Sequence, residues 1–185
     1  MIKKTIWIFF LATLMACQTE TSVKEDFDPP YFQLEQFIEE QASKLEGKSL
    51  QKEIQIKETV EKFEITPNQE EWLRELDFFI QADINRPAMA QAYTIDEGNS
   101  ETAYNLKKGE KSKLKSLKIF YNDNKEVKRI EFVIGSENTF YETETTGWLR
   151  MDEATRIIDS FEIDGKQEVV FLDPILMHVK AKVME

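Results

Sequence analysis

Residues 114–135 read LKSLKIFYNDNKEVKRIEFVIG, and the spacing of their apolar side chains sets the fold. Leu117, Ile119 and Tyr121 fall on alternate positions, with Lys118, Phe120 and Asn122 on the opposite face. After Asn122-Asp123-Asn124, Ile130, Phe132 and Ile134 alternate in the same way with Arg129, Glu131 and Val133. A period of two is the mark of a half-buried strand, because successive side chains of a strand point to opposite faces. Two such runs joined by a few turn-forming residues predict an antiparallel hairpin with one apolar and one largely polar face.

The same pattern extends outward on both sides. Strands are expected near 88–96, 101–107, 114–122, 126–135, 138–145, 147–151, 155–164, 167–172 and 175–184. Ile157, Phe161 and Ile163 oppose Ser160 and Glu162; Met177, Val179, Ala181 and Val183 oppose His178, Lys180 and Lys182. Gly135-Ser136-Glu137 and Asp164-Gly165 read as turns, the latter suited to a tight hairpin. Consecutive short strands joined by hairpins predict an antiparallel meander and not a parallel α/β sheet.

Upstream the period changes. Pro30 opens a predicted helix whose Leu34, Phe37, Ile38, Gln41, Ala42 and Leu45 form one stripe, stopped at Gly47. Leu50 to Ile65 alternates locally and predicts a hairpin turning near Lys57-Glu58-Thr59. Asn68 followed by Glu71 gives a capping-box pattern for a second helix. Trp72, Leu73, Leu76, Phe79, Ile80 and Ile84 line its apolar face, and Pro87 ends it. Helices that cover the apolar face of an antiparallel sheet place residues 31–185 in the α+β class as a single domain.

The N-terminus has the layout of an export signal over residues 1–16: Lys3 and Lys4, an apolar run from Ile6 to Leu14, then Ala16. The run is well short of the roughly 20 residues that a permanent membrane-spanning helix needs. Leu14-Met15-Ala16-Cys17 resembles the lipobox of bacterial lipoproteins. That resemblance implies cleavage after Ala16 and a lipid on the Cys17 sulfur. Residues 17–30 then form an acidic tether ending in Pro29-Pro30, and no Asp follows the lipid-bearing residue. The outer membrane is the expected location, on either of its sides. The stretch Phe32-Gln-Leu-Glu-Gln-Phe-Ile-Glu-Glu-Gln, with residues 72–87 and Tyr93, resembles a group of uncharacterised lipoproteins from Bacteroidota with no assigned activity. A lipobox ahead of helices and an antiparallel sheet is also similar, at the level of fold, to the periplasmic lipoprotein carriers, which hold acyl chains. Fold-level likeness alone does not carry function.

Cleavage after Ala16 leaves 169 of 185 residues and, with Lys3 and Lys4 gone, takes the formal charge from −11 to −13. Such a surface disfavours nucleic acid and anionic headgroups as basic-patch partners. Cys17 is the sole cysteine and His178 the sole histidine, so neither a disulfide nor a usual zinc site is expected, and no cofactor is implied. Asp96-Glu97-Gly98-Asn99-Ser100-Glu101 lacks the spacing of a calcium loop and reads as an acidic hairpin turn. No Gly-x-Ser-x-Gly or glycine-rich phosphate loop occurs. The carboxylate pairs Glu39-Glu40 and Glu142 with Glu144 are ordinary in a chain with 35 acids. Phe140, Tyr141 and Trp148, in less regular strands, are the candidate binding surface. The expected role is non-enzymatic: binding of an envelope protein or assistance to an envelope complex. The alternative is a carrier or sensor of a lipid or other apolar ligand.

Overall fold

The computed structural model describes residues 28–184, so the export signal, Cys17 and most of the tether lie outside the described residues. The chain runs α1 (Leu34–Leu45), β1 (Ser49–Ile56), β2 (Thr59–Ile65), α2 (Gln69–Glu75) and α3 (Asp77–Gln81). A short 3-10 turn at Pro87–Met89 leads into β3 (Tyr93–Glu97) and β4 (Glu101–Leu106). Five longer strands follow: β5 (Leu114–Tyr121), β6 (Val127–Glu137), β7 (Tyr141–Met151), β8 (Ile158–Val169) and β9 (Ile175–Met184). All nine join one sheet in the order β2-β1-β9-β8-β7-β6-β5-β4-β3, and every pairing is antiparallel. β3 to β9 form a plain meander. The β1–β2 hairpin, although early in the chain, closes on the C-terminal strand β9.

Alternation sorts the sheet into two faces. Leu117 and Ile119, Ile130 and Phe132, Leu149, Phe161 and Ile163, and Val179 and Ala181 are buried together with Leu34, Ile38, Ala42 and Leu45 of α1. Trp72, Leu76 and Phe79 of the α2–α3 segment join the same cluster. Phe79 meets Phe132 and Phe161 edge-on, at ring distances of 5.2 and 6.1 Å. Burying each such side chain contributes roughly 1.5–3 kcal/mol before the entropy of ordering it.

Local chemistry explains the helix ends. Asn68 Oδ1 accepts from the Glu71 amide and the Glu71 carboxylate accepts from the Asn68 amide, which completes the capping box. Gln33, at the start of α1, makes no side-chain cap. Instead the Asp83 carboxylate, from beyond α3, accepts from the Glu35 amide at 3.0 Å. Gly47 takes the left-handed backbone (φ 82°) that ends α1, and Lys57 (φ 54°) turns the β1–β2 hairpin where its sequence predicts.

Several expectations are corrected. α1 begins at Leu34 and not beside Pro30, because Tyr31 and Phe32 are held outside it by Asn85 and Tyr104. The expected second helix is two short ones, interrupted at Leu76 (φ −98°, ψ 8°), and it stops at Gln81 well before Pro87. The strand expected from Ala88 starts at Tyr93, after the 3-10 turn that Pro87 opens. The runs 138–145 and 147–151 are one strand, as are the main parts of 155–164 and 167–172.

Asp164-Gly165 is not a hairpin turn. Both residues lie inside β8, Asp164 between Thr146 and His178 and Gly165 between Thr145 and Met177. The true β8–β9 connection is 170–174, where Pro174 has no amide to give a ladder. Ile157 also loses its expected place to Ile158. Arg150 pairs with Ser160 but Met151 with Ile158, so Asp159 is an extra residue that inverts the alternation. Ile158 is fully buried as a result.

Candidate functional site

The helix-free face of the sheet is polar but ordered. One row crosses all nine strands in register: Lys62, Glu53, Lys180, Glu162, Trp148, Glu131, Lys118, Ala103 and Asp96. Charge alternates along it on both sides of Trp148, so opposite charges face each other across strands, the stabilising arrangement. The Lys62 hydrogen bond lowers the Glu53 carboxyl from its ordinary value against the opposing effect of desolvation, with the charges of Lys62, Lys180 and His178 adding to the lowering.

The row is broken at its middle by an aromatic ring. Trp148 lies between Glu162 and Glu131, and the Arg129 guanidinium sits 4.5 Å from its ring centre, in cation–π range. In the neighbouring row Arg129 is directly opposite Arg150, with Phe120 beyond Arg129 and Ser160 and Lys182 beyond Arg150. Two arginines side by side repel, and each has an acid beside it. Glu131 accepts from Arg129 Nε at 2.6 Å, and Asp159, the extra residue of the β8 irregularity, accepts from Arg150 Nη2 at 2.5 Å. Partial burial works against ionisation of Asp159, but the Arg150 and Ser160 hydrogen bonds outweigh it and hold the carboxyl below its ordinary value. The result is an aromatic centre ringed by paired charges on an acidic chain.

Phe140 and Tyr141 do not join Trp148. Tyr141 shares its strand face with Leu149, the helix side, while Trp148 points to the other side, and Phe140 precedes the strand. These two residues belong to one end of the sheet, where the β6–β7, β8–β9 and β1–β2 turns lie together. The Val170 amide donates to the Phe140 carbonyl at 3.0 Å, and the Lys57 amide to the Leu176 carbonyl at 3.0 Å. Phe140 (71% exposed), Phe171 (101%), Leu172 (68%) and Leu176 (56%) project from this rim. The Asn138 side chain shapes the first turn by accepting from the Phe140 and Tyr141 amides. A shallow hollow of about 410 Å³ runs between Phe140, Val170, Leu172 and Pro174.

Phe171, Leu172 and Leu176 were not legible as site residues, because Val169-Val170-Phe171-Leu172 reads as the apolar core of a strand. The usable signal is Asp173-Pro174 just after it: a proline cannot sit within a central strand, so the apolar residues before it fall in the turn.

His178 Nδ1 is 2.8 Å from Asp164 Oδ1 in a mixed-charge hollow of about 320 Å³ lined also by Gln55, Glu144 and Lys166. Thr146 follows Asp164 in the register, so the carboxylate separates the imidazole from that hydroxyl and no nucleophile–base pair forms. Glu142 and Glu144 stand opposite Glu168 and Lys166 on the same polar face. The acidic stretch 96–101 forms the β3–β4 turn, its Gly98 amide donating to the Glu101 carbonyl at 2.7 Å. No three His, Cys, Asp or Glu side chains among the described residues are grouped to hold a metal ion, and no helix among them is long and apolar enough to cross a membrane. Searches of protein families, characterised proteins and solved structures gave no match to this chain.

Proposed function

We propose that this chain is a lipoprotein tethered through Cys17, at the outer membrane, that binds a partner protein through the polar face of its sheet and catalyses no reaction. In this reading the three short helices serve as the cover of the apolar face, an α+β arrangement that leaves the opposite face for recognition. The observation that carries it is Trp148 beneath Arg129, beside Arg150, at the midpoint of a charge-alternating row. Tryptophan and arginine at the centre of a charged surround are the residue types that dominate binding energy at interfaces. The alternating row supplies register and partner choice more than affinity. Glu131 and Asp159 pair the two arginines and Glu162 flanks the ring, so the centre carries no excess positive charge and favours a partner segment that sets an apolar or aromatic side chain on Trp148 within a polar rim. The carrier alternative is the weaker reading, because Trp72, Phe79, Phe132 and Phe161, each at most 2% exposed, fill the space an apolar ligand would need between helices and sheet.

The test is a photo-crosslinking residue placed at Lys118, opposite Glu131 in the same row, in the lipidated protein in growing cells, so that Trp148 stays in place. A discrete adduct at Lys118, lost when Trp148→Ala or Arg129→Glu is added, is the expected result. No adduct above that from a site in the exposed β5–β6 turn, such as Asp123, overturns the reading.

A further inference from the structure

The sheet ends in two hairpin tips whose large apolar side chains stand in solvent. Phe171 is the clearest case. Its side chain is fully exposed, and its backbone lies in the left-handed region (φ 66°), which a bulky residue rarely occupies. The β8–β9 turn needs a left-handed residue here, as the β1–β2 turn does at Lys57, but it does not need an aromatic one in solvent, so the side chain points outside the domain. Leu172 and Phe140 project beside it, and the two tips are joined by the Val170–Phe140 backbone hydrogen bond, so they present one surface.

The direction of the tether says what that surface meets. The described chain starts at Asp28, and Tyr31 packs edge-on against Tyr93 at 5.8 Å, where β3 begins. The Tyr93 hydroxyl donates to the Leu114 carbonyl at the start of β5, and Leu114 stands opposite Ile134 near the end of β6. The start of β3 is therefore at the same end of the sheet as the β6–β7 and β8–β9 tips. A lipid on Cys17, eleven residues before Asp28, holds this end within about 40 Å of the bilayer by the extended-chain limit. The twelve residues of β8 span roughly 40 Å at about 3.3 Å per residue, so the tether limits this end of the sheet about twice as closely as the opposite one.

We propose that the β6–β7 and β8–β9 tips dip into the lipid bilayer, with Phe140, Phe171 and Leu172 among the acyl chains, and so fix the domain's orientation over the membrane. The proposal rests on the tether reading given above. Glu142, Glu168 and Asp173 around the tips are offset at the same end of the sheet by Lys107, Lys108, Lys111 and Lys113 of the β4–β5 turn, so no single headgroup charge is selected and the contact proposed is apolar insertion. The polar face with Trp148 then stands roughly upright, open to a partner.

The experiment uses the full lipidated protein carrying Phe171→Trp, reconstituted in phosphatidylethanolamine–phosphatidylcholine vesicles with and without brominated acyl chains. Phe140→Trp is a second probe at the neighbouring tip, and the unaltered protein, with Trp72 and Trp148, is the background. Insertion is expected to shift the added emission to the blue, with most of that emission lost to brominated chains while the background is unchanged. Water-like, unquenched emission from both probes overturns the proposal, as does protection of both only on self-association at matched concentration without lipid. Mass spectrometry of the N-terminal peptide separates the two readings. If Cys17 carries no lipid, anchoring falls, and the same probes on protein added to preformed vesicles still decide whether the tips insert.

Discussion

A single glycine shows how little slack the core has. Gly147 faces the helices between Phe132 and Ile163, and a methyl group there would stand 2.6 Å from Phe132 Cε1 and Cζ and from Ile163 Cδ1. The Phe132 ring cannot swing aside, since it is buried and held edge-on by Phe79. Gly147→Ala should therefore lower stability by about 1–3 kcal/mol, the usual cost of overpacking. It should move the urea midpoint while leaving the slope alone, and an unchanged midpoint would show that the ring relaxes freely. Tyr93 and Tyr104 give a pH counterpart. Burial, the largest influence on each, raises both hydroxyls above the ordinary value of 10.0. A group raised on folding holds the folded state while it is protonated. Its contribution is complete below pH 10 and fades as pH climbs through the folded value. Thermal melts should lose midpoint above pH 10, less steeply in Tyr104→Phe. That variant costs about 1 kcal/mol at neutral pH, because the Phe32 amide loses its hydroxyl acceptor.

At the scale of elements, the joint between α2 and β1 is ionic where the rest is apolar. Lys52 sits on the helix side of β1, opposite Ala181, and its ammonium meets the Glu75 carboxylate at the end of α2. Their side chains are only 16% and 17% exposed, so the pair lies between the surface and buried cases. A double-mutant cycle with Lys52→Met and Glu75→Gln should return a coupling of about 1–2 kcal/mol, above that of exposed pairs. A coupling near zero would mean that packing alone sets the joint. The sequence carried most of this level. Alternation over 114–135 predicts β5 and β6 with their faces, and Asn68 with Glu71 predicts the α2 start. It did not carry the phase change at Asp159, because one inserted residue is invisible to a periodic pattern whose flanks are both apolar, Ile157 and Ile158. Nor did it separate a turn from a strand at 135–137, where Gly135, Ser136 and Glu137 pair within β6, at 164–165 or at 169–172. There, β propensity and turn chemistry disagree, and pairing with a neighbour strand decides. The candidate site was legible only in part. Trp148 was named, and the period of two puts Arg150 on its face, but Arg129 lies on β6 in a register that no single strand reveals.

The whole molecule is closed by its last strand. β9 lies between β8 and β1 and joins an otherwise sequential meander to a hairpin made at the other end of the chain. Ser49 pairs with Met184 and Ile56 with Met177, so the hairpin has no place in the sheet until the C-terminus is present. The helices depend on the same closure, because α1 runs directly into β1 and β2 directly into α2. A chain ending at Pro174 would lose both ladders of β9 and the buried Val179 and Ala181, and would release the hairpin together with the helices that cover Phe132 and Phe161. We expect it to show no cooperative urea transition and to be cleaved by protease within α1 and α2 under conditions where the full chain survives. A retained cooperative transition at nearly the same midpoint would show that β3–β8 fold on their own. Such long-range closure also predicts slow folding, since the entropy of joining distant segments is lost before their contacts are gained. Refolding followed by Trp72 emission should accordingly lag behind strand formation in β5–β7, and simultaneous recovery of the two signals would sink the idea that β9 closure is the late step.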